Sequence, residues 1–220
     1  MPVKKAGAVR EAGAGRPSAR ERLLAAANEL FYDEGVHTVG IDRVIEQAGV
    51  AKASLYNTFG SKDELVRAYL ETRHASVTQR ITQAVERYDT PRERLLAVFE
   101  GQGELFAQPD YRGCAFMNAT AEAAADSVEA QAASTFRAWV HNLFLALATE
   151  FDAADPQQLA EALVLLYDGA VATAQMDKAP EAARTARRTA ELILDNTRPA
   201  RSKRVRTQSS RPARPITGAS

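Results

Sequence analysis

Apolar residues return every third or fourth position through most of this chain, and no stretch alternates apolar with polar as a strand would. Leu23, Ala27, Leu30 and Phe31 form one such stripe, opened by Ser18 with Glu21 three residues on and stopped at Gly35. Val39, Ile41, Val44, Ile45 and Ala48 form a second, closed by Ala48-Gly49-Val50, where glycine takes a left-handed turn without a Cβ clash. A third helix is predicted from about Ala51 to Thr58, with Leu55 and Phe59 inward. Ser61-Lys62-Asp63-Glu64 then has the form of a capping box and opens a helix from Lys62 to about Tyr88. Thr90-Pro91-Arg92-Glu93 starts another, carrying Leu95, Leu96, Val98, Phe99, Leu105 and Phe106 until Gln108-Pro109-Asp110 breaks it. A short helix within 113–125 is followed by a long one from Asp126, with Glu129, to about Phe151. Asp155-Pro156 opens the next, striped by Leu159, Leu163, Leu166 and Ala170, and a last one follows Pro180 to near Asn196. The predicted fold class is all-α.

The stretch 38–65 organises the rest. Helix, glycine turn, helix is the helix-turn-helix pattern, whose second helix enters the DNA major groove. On that second helix Lys52 can reach a base edge or a phosphate, Ser54 and Tyr56 can donate to phosphate oxygens, and Asn57 can pair with a base edge. No acidic residue lies between Gly49 and Ser61 to repel a phosphate backbone. The plain alternative is a helical corner in an ordinary bundle with a solvated polar face.

Residues of about 18–65 resemble the DNA-binding domain of the TetR family of bacterial transcriptional repressors. The resemblance is carried by Phe31 and Gly35, by Ile41-x-x-Val44-Ile45 and by Ala48-Gly49-Val50. It continues through the run from Ser54 to Phe59 and through Ser61-Lys62-x-x-Leu65. It implies that Lys52, Ser54, Tyr56 and Asn57 are recognition-helix contacts and that Lys62 holds a phosphate at the start of the fourth helix. Gly40 departs from the family's usual Ser or Thr there, and supplies no side-chain donor for a phosphate.

Charge supports a nucleic-acid partner only once it is resolved along the chain. The 220 residues carry no formal net charge, yet 1–20 hold five Lys/Arg to one Glu, and 198–220 hold seven Lys/Arg and no acid. An acidic body therefore lies between two basic tails, 1–17 and 198–220, which lack apolar periodicity and are expected to be disordered. The one cysteine, Cys114, excludes an intramolecular disulfide and suits a reducing, cytoplasmic setting. With no unbroken run of eighteen apolar residues, no membrane helix is expected, and Lys4 and Lys5 are not followed by the apolar core of a signal peptide.

No catalytic constellation is visible. His37, His74 and His141 lie far apart without carboxylates or Cys at ligand spacing, so neither a metal nor a cofactor is expected. Cys114, beside Ala115 and Phe116, reads as a small buried hydrophobe. A helical enzyme with a cofactor in its bundle is the reading that these absences disfavour. The family resemblance implies instead a second domain of six helices, 66–197, that binds a ligand and dimerises. Candidate ligand contacts are Phe99, Phe116, Asn118, Glu122, Trp139, Tyr167 and Met176. Asn118 and Glu122 are four apart and share a helix face, where they would orient a mostly apolar ligand; alternatively Asn118 bridges helices and Glu122 is simply exposed. The large apolar residues equally suit a plain core. Leu159, Leu163, Leu166, Leu192 and Ile193 present more apolar surface than two helices of one chain bury, which points to a homodimer interface. The resulting expectation is a regulator that binds a palindromic operator as a homodimer and is released by a small hydrophobic effector. An effector-independent architectural DNA binder is the alternative.

Overall fold

The computed structural model describes residues 17–121 and 123–199, and every regular element among them is a helix. In chain order these are α1 (Ala19–Glu34), α2 (Ile41–Ala48), α3 (Lys52–Phe59), α4 (Lys62–Val85), α5 (Pro91–Phe106), α6 (Ala115–Thr120), α7 (Val128–Glu150), α8 (Pro156–Met176) and α9 (Ala182–Asp195). The fold is all-α, with a helix-turn-helix in its first three helices.

Helix α1 opens on a complete capping box: Ser18 Oγ accepts from Glu21 N–H, and the Glu21 carboxylate accepts from Ser18 N–H at 2.7 Å. Its stripe of Leu23, Ala27, Leu30 and Phe31 is buried, and Phe31 meets the ring of Tyr69 on α4 edge-on at 5.6 Å. Helix α2 begins at Ile41 with Val39 buried just ahead of it, while Ile41 and Ile45 are only half-buried. Gly49 ends α2 at φ 61°, the left-handed turn the sequence predicts, and Arg22 of α1 donates to the carbonyls of Ala48 and Gly49 at 3.2 and 2.9 Å. That guanidinium ties α1 to the corner between α2 and α3. An eight-residue α3 capped only by Ala51 would not persist alone; the wholly buried Leu55 anchors it, contributing about 2 kcal/mol of burial.

Ser61 caps α4 by accepting from Glu64 N–H, but the box is half-built, because the Glu64 carboxylate pairs with Arg67 at 3.3 Å instead. Helix α4 ends at Val85, short of the expected Tyr88, and packs along α5, α7 and α1. Gly101 allows the close approach of α5 to α4: a Cβ there would lie 3.1 Å from Ile81 Cα and Ala84 Cβ. Helix α6 is shorter than the span 113–125 suggested. It is Ser127, not Asp126, that caps α7. Helices α7, α8 and α9 pack in succession, and α9 lays Ala183, Ala186, Ala190 and Leu194 inward, where α5 and α8 flank it. Helix α8 alone among the described residues is long and apolar enough to cross a membrane by length and composition; here it packs in the bundle, and 44% of its most apolar stretch is buried.

Most of both expected basic tails lies outside the described residues. Arg198 and Pro199 do not: Ala154 N–H donates to the Arg198 carbonyl at 2.9 Å, and Ala153 forms a single antiparallel bridge with Pro199. Backbone pairing therefore carries the described chain two residues into the stretch read as a tail from 198 onward.

Candidate functional site

Two sites emerge, one on α3 and one inside the bundle. On α3 the i, i+4 and i+5 residues Lys52, Tyr56 and Asn57 share the outer face. Asn57 is exposed and Tyr56 is 47% exposed. Ser54 is half-buried, and its carbonyl accepts from Thr58 Oγ1 at 2.6 Å. Lys62 is also half-buried, with its ammonium 6.0 Å from the centre of the Phe31 ring, so its stem lies against the helix-turn-helix core while the charge stays near the start of α4. Lys52 Nζ pairs with Asp42 of α2 at 2.9 Å, and that hydrogen bond raises the lysine's pKa. The carboxylate missing from the 50–60 segment is thus supplied by the neighbouring helix, which reading α3 alone does not reveal. Both side chains are more than half exposed, so the pair is weak enough for a phosphate to displace Asp42.

The second site is a cavity of about 120 Å³ walled by α4 to α8, by the loop before α6, and by Tyr32 at the end of α1. Phe116 and Tyr167, both expected as ligand contacts, line it. Phe99, Asn118, Trp139 and Met176 do not. Phe99 is buried against Phe144 at 5.8 Å, and Trp139 stacks on Phe136 at 5.9 Å beside His74. Met176 is 80% exposed at the end of α8. Asn118 is a bridge: its Nδ2 donates to the Arg112 carbonyl at 3.2 Å and its Oδ1 accepts from Gln175 Nε2 at 2.9 Å. Glu122 lies outside the described residues.

What sequence reasoning missed is the polar part of the wall. Gln102 is 1% exposed, its Nε2 donates to the Tyr167 carbonyl at 2.9 Å, and its Oε1 has no hydrogen-bond partner. The signal was present: Gln102 is the polar member of the stripe Leu95, Phe99, Gln102, Phe106. The hydroxyl of Tyr111 is buried and equally unpartnered, and burial raises its pKa, as it does for Tyr167. Burial likewise pushes the Cys114 thiol up, so this lining residue is a neutral thiol, not a thiolate nucleophile.

The cavity's wall is joined to α1. The Tyr32 hydroxyl donates to the Gly113 carbonyl and accepts from Arg112 N–H, both at 2.9 Å, while Arg112 Nε pairs with Asp33 at 2.7 Å. Arg73 of α4 lies 3.9 Å over the Tyr32 ring and donates to the Asn28 carbonyl at 2.9 Å. Gly113, at φ 100°, strains any other residue, and a Cβ there would fall 2.1 Å from Gln175 Oε1 and displace that side chain. The same loop segment therefore touches the cavity, α8 and the helix that carries the helix-turn-helix.

A family model described as bacterial regulatory proteins, tetR family, matches residues 23–69. The crystal structure of SCO4454, a TetR-family transcriptional regulator from Streptomyces coelicolor, is 34% identical, covers 80% of this chain and 88% of its own, and superposes with a TM-score of 0.76. The transcriptional activator FasR of Mycolicibacterium smegmatis is 39% identical over 85 residues, 39% of each chain. The transcriptional repressor NemR of Escherichia coli is 31% identical over 105 residues, 47% of this chain and 53% of NemR. This chain spans about two-fifths of FasR and about half of NemR.

Proposed function

Because this chain belongs to the TetR family of transcriptional regulators, and is a regulator rather than an enzyme, we propose that it is a homodimeric repressor released from its operator by a small ligand. It would act in the cytoplasm, with residues 18–65 binding DNA and 66–197 dimerising and binding the effector. The observation that carries the reading is the outer face of α3, where Lys52, Tyr56 and Asn57 stand clear of the core. A repressor is preferred to an activator because NemR, a repressor, matches over more of its own length than FasR. A largely apolar cavity among α4 to α8 favours an effector over the architectural reading, since a purely architectural binder has no use for one.

The coupling follows from the joint at Tyr32. A ligand that displaces the 111–113 loop moves the partners of Tyr32 and tilts α1, and with it the paired recognition helices, away from the roughly 34–36 Å spacing of successive major grooves. A hundredfold preference of ligand for the displaced geometry supplies about 2.7 kcal/mol of coupling.

Selection from random duplexes is the test. The protein should enrich a palindrome; Asn57→Ala should relax one base position in each half-site, and Lys52→Ala should weaken all sequences alike and lower the salt slope by about one. Enrichment of no palindrome refutes the operator reading.

A further inference from the structure

We propose that the bundle cavity binds a neutral, single-ring phenol, a ligand class that specifies the effector and so rests on the effector reading above. Size sets the first limit. An apolar cavity of about 150 Å³ accepts benzene, so one of about 120 Å³ takes one aromatic ring with little to spare. The walls suit a ring, for Phe106, Phe116 and Phe136 all face it. Phe116 and Phe136 are already stacked at 4.2 Å and 7°.

Three buried polar atoms on lining residues lack a partner, Gln102 Oε1, the Tyr111 hydroxyl and Arg73 Nε, and the first two set the second limit, the third being a further donor. The Tyr167 carbonyl only accepts, so the Gln102 amide must turn its Nε2 toward it, and Oε1 is left as an acceptor with no donor. A ligand that satisfies this oxygen must bring an N–H or O–H. The Tyr111 hydroxyl, also without a partner, is able to give its own proton to an acceptor. A phenolic hydroxyl meets both needs, donating to Oε1 and accepting from Tyr111. Amines fit less well. Arg73, Arg137 and Asp168 line the cavity, and the Asp168 carboxylate is already paired with Arg137 at 2.7 Å, so an ammonium group would enter beside the remaining positive charge of Arg73.

The test compares phenol, anisole and toluene by calorimetry on the full chain, with operator release followed by fluorescence anisotropy on the same samples. Phenol should bind about tenfold more tightly than anisole, which lacks the donor, and than toluene. Gln102→Leu should erase that preference. Should this variant fail to fold, Tyr111→Phe carries the test: it should weaken phenol severalfold and leave toluene unchanged. Equal binding of the three probes, or binding of none, overturns the ligand class while leaving release by another molecule open. Selective phenol binding without DNA release upholds the ligand class and overturns the effector reading instead.

Discussion

Two tyrosines on one cavity wall should answer the same substitution in opposite ways. Tyr32 and Tyr111 are both buried or half-buried, yet the Tyr32 hydroxyl bridges Arg112 N–H and the Gly113 carbonyl, whereas the Tyr111 hydroxyl has no partner. Tyr32→Phe removes two neutral hydrogen bonds of about 1 kcal/mol each and leaves a buried Gly113 carbonyl without a donor. The Arg112 N–H is only part-buried, so losing its acceptor costs less than the loss at Gly113. The expected loss is about 2 kcal/mol. Tyr111→Phe removes a buried hydroxyl that gains nothing from the fold and should be neutral or slightly stabilising. Urea unfolding at fixed protein concentration, with the slope compared between variants, measures both changes. If the two variants are destabilised alike, or Tyr32→Phe costs less than about 0.5 kcal/mol, the bridge does not hold the loop to α1. The coupling route assigned to it then fails as well.

Three further outcomes follow from the same geometry. Asp42→Ala should strengthen DNA binding, on specific and random duplexes alike, because it frees Lys52 and removes a carboxylate from beside the phosphates; titrations at two salt concentrations check this. Leu165→Glu and Leu192→Glu should give folded monomers by light scattering, since these side chains are 72% and 64% exposed on the outer faces of α8 and α9, whereas Leu163→Glu should unfold the chain because Leu163 is wholly buried. His74 is packed against Phe116, Phe136 and Trp139, and burial lowers its pKa below 6.5, so the unfolded chain protonates it first. Its contribution to stability is therefore complete above about 6.5 and is lost as pH falls toward the folded value, so melting between pH 7 and 5 should decline less in His74→Phe than in the wild type.

Local signals were legible where a residue's job is local. Ser18 with Glu21, Gly49, Thr90-Pro91 and Asp155-Pro156 act on the backbone within a turn of themselves, and the helices start or stop where they stand. The reading weakened wherever a residue answers to something distant in sequence. Asp42 reaches Lys52 across the turn, Arg22 caps α2 from α1, and Glu64 prefers Arg67 to its own cap. Faces were read least well. On α8 the stripe Leu159, Leu163, Leu166 is real, but Leu159 and Leu163 are buried within the protomer and Leu166 is half-buried, so the surface left for a partner is offset toward Leu165. A stripe shows that a helix has an apolar side; it does not say which neighbour takes it. On α9 small alanines fill the inward face, which leaves Leu192 outside and Ile193 half-buried. The cavity shows the same limit in chemical form. Large apolar side chains drew attention to Phe99, Trp139 and Met176 as ligand contacts, and none of the three lines this cavity. The informative residue was the misfit, Gln102, because a buried amide on an apolar stripe demands two partners and its fold supplies one. Where a core carries an unmet polar atom, a binding site is better sought there than among its largest side chains.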